Sequence, residues 1–418
     1  MRWTAAELVA FLAKVLYEIT HNGLTLDYAF QKVKRRWRRL ESFKVFYDAA
    51  FDAVRHYYFL QWAAGHLYNS SNATAVAKTW FLLRAEGLLY NRELVARFKK
   101  RLSRQAGGRR PPSLEELGGD PVAYLSVKYS YHPAIVRNLL KYLPRGEVER
   151  LLEAGNHTWI WLRVNTLKYD IDKAVKLVER EAEVEPHPEI PFALLVRKAT
   201  RPIQYLTAVR RLAAVPQDIS SIYAVLALAP RRGERIVDLA AAPGMKTSLI
   251  VQLSEGARVV AVELSRRRAA RMRRLLKQLG AIDHVEIVHA DSRLLKGRIF
   301  DKALLDAPCT SSGAFTKEPA VKIYPRLGDV EKYAETQLEL LKNALSISHE
   351  VIYAVCSLLP QEGEEVVERS GGKAERPLPA LSPPYWGNLG GRTFPHVHRG
   401  EAFFISRVTP PDAWRPAI

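Results

Sequence analysis

A chain of 418 residues with 48% apolar and 26% charged residues has ample material for a folded core and too much length for one ordinary domain, so two or three domains are expected. Its 2 cysteines exclude a disulfide framework and fit a reducing, cytoplasmic setting, while polar and acidic residues break every apolar run long enough to suggest a secretory leader or a membrane span. A formal net charge of +19 favours a polyanionic partner, most simply nucleic acid, although a generally basic, solubilising surface has the same signature.

Residues 1–105 read as all helical. "TAAELVAFLAKVLYEI" opens with Thr4 and Glu7 in capping-box spacing, Leu8, Phe11, Leu12, Val15 and Ile19 recur at helical intervals, and Gly23 closes the segment. Further helical patterns follow, and their aromatics are expected to form the core of a bundle. The run "KVKRRWRR" contains Lys32, Lys34, Arg35, Arg36, Arg38 and Arg39. It is either a solvated helix face or a set of phosphate contacts. A Gly-, Pro- and Arg-rich stretch at 101–119 looks like a linker.

Residues 120–200 alternate short helices and strands, with "HPAIVRNLLKYL" as a helix and "WIWLRVNTLK" and "FALLVRK" as strands. They are expected to form a small mixed domain. From residue 201 to 418 the rhythm is strand, loop, helix. "RIVDLA", "RVVAVEL", "VEIVHAD", "KALLDAP" and "EVIYAVC" are short β-rich runs. In "SRRRAARMRRLLKQLG" an apolar stripe of Met272, Leu275, Leu276 and Leu279 lies among seven basic residues. The pattern predicts an α/β domain with a mainly parallel sheet, whose ligands sit beyond the carboxyl ends of the strands.

"VDLAAAPGMKT" at 237–247 runs from a strand through a tight turn into a helix. Gly244 and the small residues Ala240, Ala241 and Ala242 allow a ligand close to the backbone. The stretch matches neither the dinucleotide fingerprint nor the P-loop. Asp238, Glu263, Asp291 and Asp306 end four successive strand runs, so in a parallel sheet they share one rim. Each acid alone also fits a helix cap. Together they suit a cationic nucleoside cofactor such as S-adenosylmethionine, with Glu263 accepting from ribose hydroxyls and Asp291 from a base amino group.

"DLAAAPGMKT", "DAPCTSSG" and "YAVCSLLPQEGEE", with "HPAIVRNLL", "LRVNTLK" and "VPQDISSIYAVLAL" upstream, resemble the motifs of the RNA cytosine-C5 methyltransferases of the NOP2/NSUN and RsmB group, over roughly residues 120–407. The helical front end resembles the NusB-type RNA-binding domain. The resemblance implies a Rossmann-like S-adenosylmethionine-dependent methyltransferase domain of α/β class, preceded by a small α+β domain and an all-helical domain. It implies Cys356 as the nucleophile on cytosine C6, Cys309 as the cysteine that assists release, Asp306 near the base N3, and Lys246 beside the target. The cofactor positions carried over are Asp238, Ala241, Ala242, Pro243, Gly244, Met245, Lys246, Glu263, Arg268, Asp291 and Asp306. The implied partner is RNA, ribosomal in preference to transfer RNA. A non-catalytic assembly factor is the rival reading. No obligate protein partner is inferred.

The chemistry has its own logic. Cytosine C5 is a weak nucleophile, and a thiolate added at C6 creates an enamine-like adduct able to attack an electrophilic methyl group. A thiol has a pKa of about 8.5 and attacks only when deprotonated. An acid near N3 would stabilise charge on the ring, a second thiol can take part in removing the C5 proton, and the base must leave its stack. A free cysteine is otherwise most often a small buried hydrophobe.

Further candidates are Arg163, Asn165 and Lys168 as RNA contacts, and Lys317 and Lys322 as a phosphate clamp. Gln217 and Asp218 either touch the active site or cap a loop. His396 and His398 lack a convincing ligand set, so no metal is expected. The chain departs from the family pattern at Ala240, Met245, Val355 and Gly363, where a Cys, a Gly, a Thr and an Asn are usual.

Overall fold

A computed structural model describes residues 3–37, 43–89, 91–297 and 300–411, so Arg38 and Arg39 lie outside the described residues. The chain divides into two units, Met1–Asn156 with Ala314–Leu327, and His157–Gly313 with Gly328–Ile418.

The first unit is helical. Its opening helix, Ala5–Asn22, has the expected cap: Thr4 accepts from the Glu7 backbone and Glu7 reaches back, while Gly23 closes the helix at φ 61°. Leu8, Phe11, Leu12, Val15 and Ile19 are all buried, with Phe11 edge-on to Phe30 and Phe46. Phe11, Phe30 and Phe46 are therefore core, and dispersion between their rings supports the bundle, whereas Tyr17 and Tyr28 are exposed.

The boundary expected between residues 105 and 120 is corrected to Asn156. Helices Pro121–Tyr129, Pro133–Tyr142 and Arg145–Ala154 belong with the bundle. The Phe59 amide donates to Ser130 Oγ at 3.1 Å, and the returning segment 314–327 completes this unit. Within that segment Phe315 is buried edge-on against Tyr131, and Gly155 makes room for both rings: a Cβ there would lie 2.2 Å from the Tyr131 hydroxyl.

The second unit holds two sheets. The smaller has four antiparallel strands, β1 (Trp161–Val164), β2 (Ala182–Pro186), β3 (Ala193–Ala199) and β4 (Ala214–Pro216), in the order β2-β3-β1-β4. The larger contains β5 (Arg235–Asp238), β6 (Arg258–Glu263), β7 (Val285–His289), β8 (Phe300–Asp306), β9 (Ser348–Val355), β10 (Lys373–Glu375), β11 (Gly391–Thr393) and β12 (Phe403–Thr409). Its order is β10-β12-β9-β8-β5-β6-β7, with β11 on β12. From β9 through β7 neighbouring strands are parallel, and β12 runs antiparallel to β9.

Parallel strands covered on both faces must be apolar throughout, and Ile236, Val237, Ala303, Leu304 and Leu305 are fully buried. From β5 the chain proceeds to β6 and β7 on one side and reaches β8 and β9 on the other. The strand order thus reverses between β5 and β8, where ligands bind in this architecture. Asp238 and Asp306 end those two strands. This is a Rossmann-like α/β domain. Among the described residues no helix is long and apolar enough to cross a membrane.

Candidate active site

The two cysteines meet because their strands are neighbours in register. Asp306 of β8 pairs with Ala354 of β9, and the Ala307 amide continues the ladder to the Ala354 carbonyl at 2.9 Å. Both loops then leave the same edge of the sheet, which brings Cys309 Sγ within 2.9 Å of Cys356 Sγ. Both are free thiols, and Ser311 Oγ lies 3.6 Å from the Cys356 sulfur.

The loops are fastened to each other. The Gly313 amide donates to the Cys356 carbonyl at 3.0 Å, and Ser312 Oγ meets Ser357 Oγ at 2.9 Å. Gly313 has to be glycine, since a Cβ would sit 2.0 Å from the Ala402 carbonyl oxygen. The fully buried Glu362 spans both loops: it accepts from the Thr310 amide at 2.8 Å, Thr310 Oγ1 at 2.5 Å, Ser357 Oγ at 2.6 Å and Gln337 Nε2 at 3.2 Å. Four donors are what a buried carboxylate requires to offset its lost hydration. Beside it Arg392 and Glu364 form a fully buried two-pronged pair at 2.8 and 2.5 Å, and Arg392 Nη1 donates to the Ser357 carbonyl at 2.9 Å.

Sequence reading missed Glu362, Glu364 and Arg392 as builders of the site. The acidic run after Cys356 was the available signal. One departure from the family pattern finds its reason here: a Cβ on Gly363 would lie 3.0 Å from Arg392 Nη2 and from Phe404 Cγ. Nothing in the structure explains Val355.

Lys246 Nζ bonds Asp306 Oδ2 at 2.6 Å. Burial works against the ammonium charge, but Asp306, then Cys356 and Asp238, outweigh it and hold the proton more tightly than in an ordinary lysine. The Cys356 thiol is pushed well above its usual range by its hydrogen bond with Cys309, by burial, and by the charges of Cys309, Glu401 and Asp306. Removing the largest cause should therefore bring it down. Cys309→Ala is expected to shift the pH profile of Cys356 alkylation by iodoacetamide toward acid, with several-fold faster modification at pH 8. An unchanged profile would leave burial as the controlling factor.

The cofactor-side acids have distinct settings. Asp238 is buried and accepts from Thr247 Oγ1 at 2.7 Å, while among the described residues its Oδ1 has no hydrogen-bond partner. Burial, with the Asp306 charge adding and the Thr247 hydrogen bond opposing, raises its carboxyl to about 6. Glu263 is buried and accepts from the Ser265 amide at 2.8 Å. Arg268 stands 3.5 Å from Glu263 and donates to the Ala242 carbonyl at 2.8 Å, bracing the loop Ala241-Ala242-Pro243-Gly244. Gly244 at φ 102° caps the helix Met245–Leu253, and a Cβ on it would lie 2.9 Å from Met272 Cγ. Asp291 differs from expectation in being already engaged: Arg293 bonds both of its oxygens, holding its carboxyl below the ordinary range.

Three expected RNA contacts, Arg163, Lys322 and Asn165, are corrected. Arg163 is fully buried, donating to Gln217 Oε1 at 2.7 Å, Ser248 Oγ at 2.8 Å and Gln252 Oε1, and burial lowers its pKa to about 9. Ser248 and Gln252 lie on the helix that begins at Met245, so Arg163 braces the cofactor loop from β1 and cannot reach a phosphate. Lys322 is also buried, its Nζ donating to the Arg55 and Tyr129 carbonyls and to Asn156 Oδ1, all within the helical unit. Asn165 is turned inward, bonding the Leu212 and Leu279 carbonyls at 3.1 Å, and Lys168 is exposed with its Nζ on the Gln278 carbonyl. Lys317, Arg35 and Arg36 are exposed. Gln217 supports Arg163, and Asp218 caps the helix Ile219–Leu228. His398 is buried on the Ala380 carbonyl, and among the described residues no group of His, Cys, Asp and Glu is arranged for a metal.

A reversing parallel sheet with acids at its switch point and a glycine-capped helix above them defines a Rossmann-like methyltransferase domain. The unpartnered Asp238 oxygen and the glycine cradle fit a cationic nucleoside cofactor. Residues 225–409 match the family described as 16S rRNA methyltransferase RsmB/F, and over that span the chain belongs to this family. It is 33% identical over 240 residues to ribosomal RNA small subunit methyltransferase B of Sodalis glossinidius, covering 55% of each chain. To the protein of that name in Klebsiella pneumoniae it is 32% identical over 289 residues, covering 66% of this chain and 65% of the other. The chain thus spans between about half and two thirds of the length of these curated relatives. Among solved structures, PH0851 shares the fold along 98% of this chain and 99% of its own, with a TM-score of 0.76 at 22% identity. A methyltransferase homolog protein from Pyrococcus horikoshii is 26% identical with a TM-score of 0.59, covering 70% of this chain and 100% of its own.

Proposed function

We propose that this protein methylates C5 of a cytosine in RNA, and that the RNA is small-subunit ribosomal RNA. The observation that carries the reading is the pair of free thiols 2.9 Å apart, in the same strand-end site as the Lys246–Asp306 ion pair. The names of the relatives support the choice of RNA. Asp238, Glu263 and the Ala241–Gly244 turn would hold S-adenosylmethionine, which supplies an electrophilic methyl group.

Cys356 must give its proton to solvent before it attacks C6. Its thiolate would be countered by the Lys246 ammonium, which Asp306 holds in its charged form. Asp306 faces the base as the hydrogen-bonding group at N3. After C5 has gained its methyl group, the C5–H bond must break, its electrons restoring C5=C6 as the C6–S bond opens and Cys356 leaves. The Cys309 sulfur lies beside the departing sulfur and, once it has given its own proton to solvent, is placed as a thiolate to accept the C5 proton.

Cofactor affinity should depend on pH through Asp238. The carboxyl is raised to about 6, so below that it is neutral and attracts a cation poorly. Affinity is expected to rise about tenfold between pH 5 and 7.5 and then level off. Titration calorimetry checks this, and Asp238→Asn should flatten the curve. The function itself is tested by bisulfite sequencing of total RNA from cells with and without the gene. Loss of one ribosomal cytosine mark is expected, and no lost mark in any RNA would contradict the proposal.

A further inference from the structure

The helix Arg266–Leu279 carries more positive charge than its fold requires. Its buried face is supplied by Ala269, Met272, Leu276 and Leu279. The remainder presents Arg266, Arg267, Arg271, Arg273, Arg274 and Lys277, all exposed, and the helix contains no acidic residue. Among the described residues none of these six forms an ion pair; Arg268 alone in the helix does, with Glu263. The first turn, where the helix dipole favours acids, begins with three arginines, an arrangement that lowers helix stability unless something anionic lies against it.

The helix also joins two informative places. At its start Arg268 bonds the Ala242 carbonyl of the cofactor loop. At its end Asn165 ties the Leu279 carbonyl to that of Leu212, Lys168 Nζ sits on the Gln278 carbonyl, and Tyr169 reaches the Arg211 carbonyl. Exposed Lys168, Arg210 and Arg211 are thereby gathered at the end of the arginine rows. The result is a basic strip about 21 Å long, the length of 14 helical residues, running from the cofactor loop.

We propose that this strip binds the phosphate backbone of the RNA substrate beside the target cytosine. The proposal rests on the functional reading above and adds the surface that holds the RNA. Arg267, Arg271 and Arg274 share one row of the helix, with Lys277 on the adjoining row, and deliver positive charge at regular intervals. That is the chemistry of backbone positioning.

The test is the full-length variant Arg267→Gln, Arg271→Gln, Arg274→Gln, Lys277→Gln. Binding of a labelled small-subunit rRNA fragment is measured by anisotropy from about 0.05 to 0.3 M salt, with cofactor binding and the melting curve as controls. The dissociation constant should rise about tenfold or more at 0.1 M salt, and the log–log salt slope should shrink by about 3, because each single-strand phosphate contact contributes about 0.7. Cofactor affinity should not move. A variant with wild-type affinity and slope would overturn the strip. So would a variant that keeps RNA affinity but loses binding to polyglutamate, which would mark a surface for an acidic protein segment. Wild-type protein that neither binds nor methylates RNA would overturn the functional reading and this one with it.

Discussion

Cys356→Ala is expected to reduce methyl transfer by about a thousandfold or more, while Cys309→Ala should stall as a covalent protein–RNA complex. The two thiols touch, yet their surroundings differ. Cys356 follows directly on β9, and its carbonyl is tied to the Gly313 amide. Cys309 lies in the loop after β8, flanked by Pro308, whose carbonyl accepts from Gln337, and by Thr310, which Glu362 holds. Without Cys356 no bond to C6 can form. Without Cys309 the bond forms and C5 is methylated, but its proton has no acceptor and the C6–S bond persists. Denaturing gels with labelled RNA should show a slow band for Cys309→Ala and none for Cys356→Ala or the double variant. The reverse pattern would exchange the roles.

The second large effect is on stability. Arg392→Met leaves Glu364 fully buried without its bidentate partner, and removing one member of such a pair costs about 3–5 kcal/mol. It also strips the Ser357 carbonyl of its donor, loosening the backbone next to Cys356. Urea unfolding should show the loss. Adding Glu364→Gln should recover part of it by removing the uncompensated charge, a recovery that simple cavity formation would not give.

What could be read from sequence was local. The Thr4–Glu7 cap, the strand runs that became β5 to β9, and the acids at their ends all depend on neighbours a few residues away. The cysteine motifs were legible because adjacent parallel strands place their ends together. Arg163 and Lys322 were misread because charge was taken as surface. Their partners stand far off in the chain, Gln217, Ser248 and Gln252 for one, Arg55, Tyr129 and Asn156 for the other. Only folding reveals that those acceptors can satisfy a buried cation. The domain boundary failed for a related reason. The linker-like composition of 101–119 suggested an end, but the helix Pro121–Tyr129 packs on the bundle helix Tyr57–Tyr68 and the next two helices pack with it, and the return of 314–327 leaves no trace in composition. Glu362 and Arg392 were hidden likewise, one in an acidic run and one in the short strand β11, with partners distant in sequence.

A thiol that adds to C6 directs the methyl group to carbon 5. Nucleoside mass spectrometry of small-subunit rRNA treated with the protein and isotopically labelled S-adenosylmethionine reads that outcome. Labelled 5-methylcytidine, abolished by Cys356→Ala, is expected. Labelled N4-methylcytidine, or 5-methylcytidine that survives Cys356→Ala, would refute the proposed function.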